Sequence, residues 1–455
     1  MFPVLTPSEM AAVDAAAPEH IDELVGRAGR AVARSALDLL GGGYGRVAVV
    51  IAGKGNNGAD GRVAAAALRR RGVQVKIFDA AALPAVLPLA DLVIDAAYGT
   101  GFRGKWPAPD VGATPVLAVD VPSGVDALTG VVSGRVLRAD RTITFQALKP
   151  GLLFGAGASL AGHIEVADVG LELPVVNQHL LGAADVAAWW PRRAIDAHKW
   201  RGAVRVIGGS TGMVGAARLC AEAAARGGAG LVKLSVPGQS IEIRSEVVQH
   251  VATNAGWAAE VLADIDRFGA LAIGPGLGRA RQTMAATIET IGAAPVPVVI
   301  DGDALFALTS EGLSPNAVLS RRTAPTVLTP HDGEFRTLTG ALPGNDRVAA
   351  ARSLAADARC TVLLKGPTTV VAAANGEVLL VDNGDKRLAT AGTGDVLTGL
   401  VAVGLAAGLS GLNAAAAAAW VHADAARRCP AAGLLAGDLV EMLPRALTGL
   451  RYEVP

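Results

Sequence analysis

Cysteine is scarce: Cys220, Cys360 and Cys429 are the three in a chain of 455 residues, an odd number set far apart. Such spacing encodes neither a disulfide framework nor a structural zinc site, and a reducing, cytoplasmic setting is expected. Aromatic residues are few as well, at 4%, so a surface that stacks nucleic-acid bases is a poor reading. Charge is in short supply at 18%, and 41 Lys and Arg offset 41 Asp and Glu. A neutral chain that is 51% hydrophobic is neither disordered nor built to hold a polyanion, so nucleic acid is not expected as a partner. The N-terminal segment carries Glu9, Asp14 and Glu19 with no basic stretch before an apolar run, so it does not read as a secretion signal. One charge-free run, Val396 to Val421, is long enough to span a bilayer. Gly408, Ser410, Gly411 and Asn413 interrupt it where a helix would stop and restart, so two buried helices and no membrane are expected.

What abounds is Gly, at 56 residues, together with Ala, Val and Leu, a composition suited to tightly packed helix-on-sheet layers. From Arg46 onward short Val- and Ile-rich runs alternate with Ala-rich stretches of helical length. RVAVVIAG (46–53), VQVKIFD (73–79), LVIDAAYGTG (92–101), PVLAVDVPSG (115–124), RTITFQALK (141–149) and HIEVADVG (163–170) read as strands. Their continuous apolar character fits a parallel sheet buried on both faces. Trp189, Trp190, Pro191 and a basic pair break the rhythm, which places a boundary between domains 1–190 and 191–455. The alternation then restarts with AVRVIGGS, LVKLSVP, ALAIGPGLG, PVVIDGDAL, PTVLTPHDGEF and TVLLKGPTTVVAA. The fold class is α/β with two doubly wound domains, and the unlike Gly-rich loops of the two halves point to fusion of unlike units.

In the first half GKGNNGADG (53–61) follows a strand and opens a helix expected to begin near Ala59. Its glycines permit a tight turn, and bare N–H groups at a helix start favour phosphate. Such a turn can be a mere connection, and its spacing matches neither G-x-G-x-x-G nor a P-loop. Two more strand ends carry polar groups where an open parallel sheet puts its crevice: Asp95 in DAAYGTGFRG, and Asp120, Ser123 and Asp126 in VDVPSGVD. Any one of these acids alone would as readily be a cap or turn residue. Together, oxygens of Asn57, Asp95 and Ser123 suit a hard, weakly hydrated cation, leaving Asp120 for proton transfer or ligand contact. Only eight of the basic residues are Lys, and Lys54, Lys149, Lys199 and Lys365 all sit in or beside Gly-rich turns, where a compact charge fits near phosphate.

These three motifs, in this order, resemble the NAD(P)H-hydrate epimerases, which interconvert the R and S forms of hydrated nicotinamide cofactors. The likeness covers about residues 1–185 and implies a Rossmann-like three-layer sandwich. It makes Asn57, Asp95 and Ser123 potassium ligands. It lines the substrate site with Asn56, Asn57, Gly58, Ala59 and Asp60, with Gly99, Thr100, Gly101, Phe102, Arg103, Gly104 and Lys105, and with Asp120. Lys149, in LKPG, is a candidate second catalytic group beside Asp120. Ala59 departs from the family, which usually has a second Gly there.

In the second half ATAGTGDVLTGL (389–400) is the sharpest signal: Gly392 and Gly394 open a helix whose N–H groups form an anion hole, with Asp395 in its first turn. Helix capping would account for Asp395 but not for the glycines. The A-G-T-G-D pattern resembles the ribokinase-like superfamily, in which that Asp takes a proton from a hydroxyl. With HKWRGAVRVIGGSTGMVGAARL, GPGLG (274–278), VIDGDAL (299–305) and LTPHDGEF (328–335) it is similar to the ADP/ATP-dependent NAD(P)H-hydrate dehydratases over about 195–450. That resemblance places Ala216, Gly276, Gly278 and His331 on the hydrated cofactor, and Lys365, Gly366, Pro367, Thr368, Thr369 and Gly394 on the nucleotide. It makes Asp395 the catalytic base. Asp332 stands where many relatives have Pro. The implied partners are NADHX or NADPHX and ADP or ATP with Mg²⁺, and a homo-oligomer is expected. The rival readings are a ribokinase-like small-molecule kinase with an appended nucleotide-binding domain, and a non-enzymatic sensing module with a degenerate pocket.

Overall fold

The computed structural model describes residues 1–452. It divides into two compact units, residues 2–178 and residues 179 onward. The division falls ahead of the expected 190/191 boundary, because helix Ala183–Trp189 belongs to the second unit, where Val186 and Trp190 are buried in the core.

The first unit is a six-stranded parallel sheet. In chain order its strands are β1 (Val47–Ala52), β2 (Gln74–Asp79), β3 (Leu92–Ala96), β4 (Val116–Val119), β5 (Arg141–Phe145) and β6 (His163–Ala167). They lie side by side as β2-β1-β3-β4-β5-β6. Three helices matter to the site: α1 (Pro7–Ala16), α2 (Ile21–Leu40) and α3 (Asn56–Arg70). α1 starts with a capping box in which the Glu9 N–H donates to Thr6 Oγ1 (3.2 Å) and the Thr6 N–H to Glu9 Oε2 (2.8 Å). α2 buries Leu24, Ala28, Ala31, Val32, Ala36 and Leu40 along one stripe at helical spacing. That stripe and α3 cover the sheet face of Val50, Ile94, Leu117 and Ile143. Val49, Ile51, Val93 and Ala118 point the other way and are covered by Leu87, Trp106, Ala108, Leu137 and Ala139 from irregular connections instead of long helices.

The second unit repeats the class with different wiring. Its strands are β7 (Val204–Ile207), β8 (Val232–Pro237), β9 (Val247–Ala252), β10 (Ala270–Ile273), β11 (Val298–Ile300), β12 (Thr326–Leu328), β13 (Thr361–Leu364), β14 (Thr369–Ala372) and β15 (Val378–Val381). Their order is β15-β14-β13-β12-β11-β10-β7-β8-β9. All pairs are parallel except β13 with β14 and β14 with β15. TVLLKGPTTVVAA forms two antiparallel strands turning at Gly366 to Thr368.

The helices that frame its site are α4 (Val214–Gly227), α5 (Asp332–Thr339), α6 (Thr393–Ala406) and α7 (Gly411–Arg428). α6 is apolar all round because it is buried against α4, α7 and the sheet, and a Cβ on Gly399 would stand 2.2 Å from the Cys220 carbonyl oxygen. The charge-free run therefore breaks into two helices, and no helix among the described residues is long and apolar enough to cross a membrane. The three cysteines are free and buried.

Candidate functional site

In each unit the chain reverses its direction of travel across the sheet once: between β1 and β3 in the first, and between β7 and β10 in the second. The loops leaving the two strands at such a point diverge and open a crevice at the carboxyl edge.

In the first unit that crevice is a cleft of about 960 Å³. Gly55 caps α3 in an extended conformation with no side-chain hydrogen bond, so the helix begins at Asn56, three residues earlier than expected, and leaves its first-turn N–H groups for a ligand. Asn56, Asn57 and Asp60 line the cleft with Gly99, Thr100, Gly101, Phe102 and Arg103, whereas Gly58, Ala59, Gly104 and Lys105 do not. Gly58 serves the frame: its missing Cβ would sit 2.0 Å from the Gly53 carbonyl oxygen.

At the cleft floor Asp120 holds a left-handed backbone (φ 68°), a strained conformation for a residue with a side chain. Its Oδ2 accepts the Thr100 N–H (3.0 Å), and a Cβ on Gly99 would come within 2.7 Å of that oxygen, so glycine is what lets the loop close in. Its Oδ1 meets Lys149 Nζ at 2.7 Å. Lys149 donates also to Thr144 Oγ1 (2.8 Å) and the Phe145 carbonyl (3.1 Å), which uses all three ammonium protons in a side chain 2% exposed. A buried ion pair is a poor source of net stability.

Asp60 faces the same space. It is 6% exposed, its Oδ1 lacks a hydrogen-bond partner, and burial with a lesser push from Asp120 raises its pKa to about 8. Asp95 is fully buried and raised by burial to about 6, although the Ser123 hydroxyl (2.7 Å) and the Ser123 and Ala97 N–H groups bond it. Both polar atoms of the buried Asn57 amide are without partners. Asp126 is a turn residue whose Oδ1 accepts from Leu128, Thr129 and the Thr129 hydroxyl. The α1 residue Asp14 also lines the cleft, held above the ordinary carboxylate range by burial and pulled back by Lys149. Sequence reasoning missed it because residues before Arg46 carry no strand rhythm to place them.

In the second unit the loops after β7 and β10 are joined by the Gly209 N–H to the Pro275 carbonyl (2.8 Å) and by the Ser210 hydroxyl to the Gly276 carbonyl (2.8 Å). Ala216, in the first turn of α4, borders Gly276, and Gly278 borders Ser210. The Gly278 N–H donates to Asp303 Oδ2 (2.8 Å), whose other oxygen takes Arg279 Nε (2.7 Å). His331 caps α5: its Nδ1 accepts the Gly333 and Glu334 N–H groups, leaving Nε2 on a side chain 61% exposed. Asp332, the departure noted above, pairs with Arg347 (2.8 Å), and Arg347 holds the Lys365 carbonyl (2.7 Å).

α6 begins at Gly392 in a left-handed conformation with no side-chain cap; the Thr393 N–H donates to the Thr390 carbonyl (3.3 Å), and the Gly394 and Asp395 N–H groups stay open. The Thr393 carbonyl contacts His422 Nε2 from α7 (2.9 Å), and burial drops that imidazole to about 4, so it is neutral and donates. Asp395 stands in the first turn. Burial, reinforced by Asp301 and opposed by Lys365, raises it to about 7. Lys365 Nζ, which the resemblance assigned to the nucleotide, meets Asp301 at 2.7 Å and Glu334 at 3.9 Å. Burial pulls that ammonium down, but Asp301 and Glu334 outweigh it and hold it above the ordinary lysine range. Gly366, Pro367 and Thr368 form the turn to β14, which Thr369 opens. Asn383, beside that turn, keeps a buried amide oxygen without a partner. Asp301 and Glu334 lay inside motifs quoted above, yet only the three-dimensional arrangement shows what they touch.

The NAD(P)H-hydrate dehydratase family model matches residues 204–447, and the model of the YjeF-related protein N-terminus matches residues 21–88 and 79–151. The bifunctional NAD(P)H-hydrate repair enzyme Nnr of Moorella thermoacetica is 36% identical over 474 aligned residues, covering 89% of this chain and 88% of that one. Among solved structures, a ribokinase-like superfamily protein of Enterococcus faecalis superposes with TM-score 0.54 at 22% identity, covering 61% of this chain and 98% of that chain. The ADP/ATP-dependent NAD(P)H-hydrate dehydratase of Bacillus subtilis, co-crystallised with ATP/Mg²⁺, gives TM-score 0.52 at 28% identity, covering 59% of this chain and 98% of that chain.

Proposed function

This chain belongs to the bifunctional NAD(P)H-hydrate repair enzymes, and from that premise we propose that its first unit epimerises R and S hydrates of NADH and NADPH while its second dehydrates the S form at the expense of ADP or ATP. The observation that carries the reading is Asp395 at the open mouth of α6, a carboxylate raised to about 7 beside unspent N–H groups. A base near neutrality can take a proton, and the helix start can hold the group being transferred.

The chemistry follows from that pairing. Asp395 removes the proton of the ring hydroxyl, whose oxygen takes the terminal phosphoryl group of the nucleotide, giving AMP from ADP. The phosphorylated oxygen then leaves as inorganic phosphate, expelled by the ring-nitrogen lone pair, and loss of a proton from the neighbouring carbon restores the dihydronicotinamide. Mg²⁺ would arrive on the nucleotide phosphates and neutralise their charge. Among the described residues no group of three or more His, Cys, Asp or Glu is placed to hold a metal ion by itself, which fits an ion carried by the nucleotide phosphates.

For the first unit we assign Asp120 and Lys149 as the acid–base pair, and potassium to Asn57, Asp95 and Ser123. The unpartnered Asn57 amide supports a ligand there, and a single full carboxylate suits a monovalent ion better than a dehydrated divalent one. The cytoplasmic setting accords with three free, buried thiols.

The test is to incubate the protein with chemically hydrated NADH and ADP and follow the absorbance of the reduced ring. Asp395→Asn is expected to lower nucleotide-dependent recovery at least about a hundredfold with epimerisation intact. Near-normal turnover would return Asp395 to the role of a helix-start carboxylate, and a released phosphorylated hydrate would mark a kinase instead.

A further inference from the structure

Asp301 follows directly on β11 and is 3% exposed, yet it belongs to no step described above. Its Oδ1 accepts Lys365 Nζ at 2.7 Å, from the end of β13, and its Oδ2 accepts the Thr398 hydroxyl at 2.7 Å, from the second turn of α6. That hydroxyl is also 3.0 Å from the Gly394 carbonyl, but it has one proton, and the closer, charged acceptor takes it. One carboxylate thus ties together two strand ends and the helix turn that carries the base.

We propose that Asp301 is the positioning residue of the dehydratase site, holding the Lys365 ammonium away from Asp395 so that Asp395 remains available as a base. The inference rests on the reading of Asp395 given above. Gly394, next to Asp395, leaves the gap that Lys365 reaches into: a Cβ there would lie 3.2 Å from Nζ. An ammonium so placed has two carboxylates to choose between. A direct pair with Asp395 would hold that group ionised but weaken it as a proton acceptor, since an opposite charge at contact lowers a carboxylate pKa by about one to three units. Asp301 competes for the same cation, and its own bond to Thr398 fixes it in place to do so. The other groups acting on Asp395 are Glu334 from α5 and Asp303 after β11, both raising it, with the buried Cys220 thiol of α4 nearby and the neutral His422 of α7 held through Thr393. Lys365 is the cation among them and the group that lowers Asp395.

The experiment is the pH profile of kcat for dehydration in Asp301→Asn, with ADP affinity measured by calorimetry on the same full-length preparations. The neutral amide removes the Asp301 charge that itself raises Asp395 and also frees Lys365, so the acidic limb is expected to move down by at least about one pH unit and the plateau to fall about tenfold or more. ADP affinity is expected to change less than about threefold. Adding Lys365→Met to Asp301→Asn removes the freed cation and is expected to bring the limb up by more than Lys365→Met raises it in the parent, where Asp301 holds the ammonium off, which a merely structural role for Asp301 would not do. Thr398→Val, close in shape, serves where Asp301→Asn does not fold, and is expected to shift the limb the same way by less. A fall in kcat with an unmoved limb, or a limb that Lys365→Met raises no further in Asp301→Asn than in the parent, overturns the proposal. Asp395→Asn separates the two levels: its retained activity would overturn the base reading, whereas its loss together with an unmoved limb in Asp301→Asn overturns this inference alone.

Discussion

Asp60 and Asp395 are both held protonated well above the ordinary carboxylate range, at about 8 and about 7, chiefly by burial. Folding therefore raises their proton affinity, and the sign of the linkage follows. Their contribution to stability is intact below the unfolded pKa near 4 and is lost as pH rises toward the folded values, because the unfolded chain ionises first. In the ligand-free protein the melting temperature of the first unit is expected to fall between pH 5 and pH 9. Asp60→Asn, which cannot ionise, is expected to flatten that fall and to be more stable than the parent at pH 9 than at pH 5. Differential scanning calorimetry at the two pH values decides it, and an unchanged slope would mean that Asp60 is solvated after all. This is a residue-scale property that the sequence hides. The motif GKGNNGADG showed Asp60 near a phosphate-binding turn, but only burial and the proximity of Asp120 reveal a carboxyl group raised to about 8.

At the scale of elements, α3 and α6 both begin at a glycine with no side-chain cap and aim their starts at a crevice. That much was legible: the glycine clusters, the strands before them and the polar strand ends all lay where an open parallel sheet needs them. The first helix nevertheless starts at Asn56 instead of Ala59, because extended Gly55 lets the backbone enter the helix at once. Of the strands numbered above, β9 and β15 escaped the periodicity. β9 carries Gln249 and His250 in its middle, and β15 pairs antiparallel at the far side of the sheet, where no crossover helix announces it. The two glycine-region positions give a clean contrast. Gly58→Ala would press a methyl into the Gly53 carbonyl and is expected to abolish epimerisation and lower the melting temperature of the first unit, leaving dehydration intact. Ala59→Gly, at a half-buried helix position outside the cleft, is expected to cost up to about 1 kcal/mol of stability with epimerase kcat unchanged. Loss of epimerase activity in the second variant, measured by chromatography of the R and S hydrates, would show that the Ala59 methyl shapes the site.

At the scale of the whole molecule, two units of one class carry two separate crevices, each at its own topological switch point. The fold class, the fusion and the order of the motifs were readable because parallel strands buried on both faces write continuous apolar runs. The position of the division was not, since Trp189 and Trp190 look like a linker in sequence but pack with Val186 into a core. Separate sites imply separable dependence on ions. Crystals grown in a potassium salt are expected to show density among Asn57, Asp95 and Ser123 at distances longer than Mg²⁺ allows, and Asp95→Ala is expected to lose both that density and epimerisation while dehydration persists. An absent ion, or a short-bonded octahedral one, would remove potassium from the account.

The most direct test of the paired activities resolves the two epimers. A mixture of R and S hydrates of NADH is given to the full-length protein with ADP, and each epimer, NADH, AMP and phosphate are followed by chromatography. The comparison is Asp120→Asn, since Asn tolerates the left-handed backbone at that position better than Ala. The account expects the parent to clear both epimers with one NADH, one AMP and one phosphate formed per hydrate, and Asp120→Asn to clear S at the parental rate but R only as fast as it epimerises spontaneously. Equal clearance of both epimers by Asp120→Asn, or consumption of ADP without return of NADH, would contradict it.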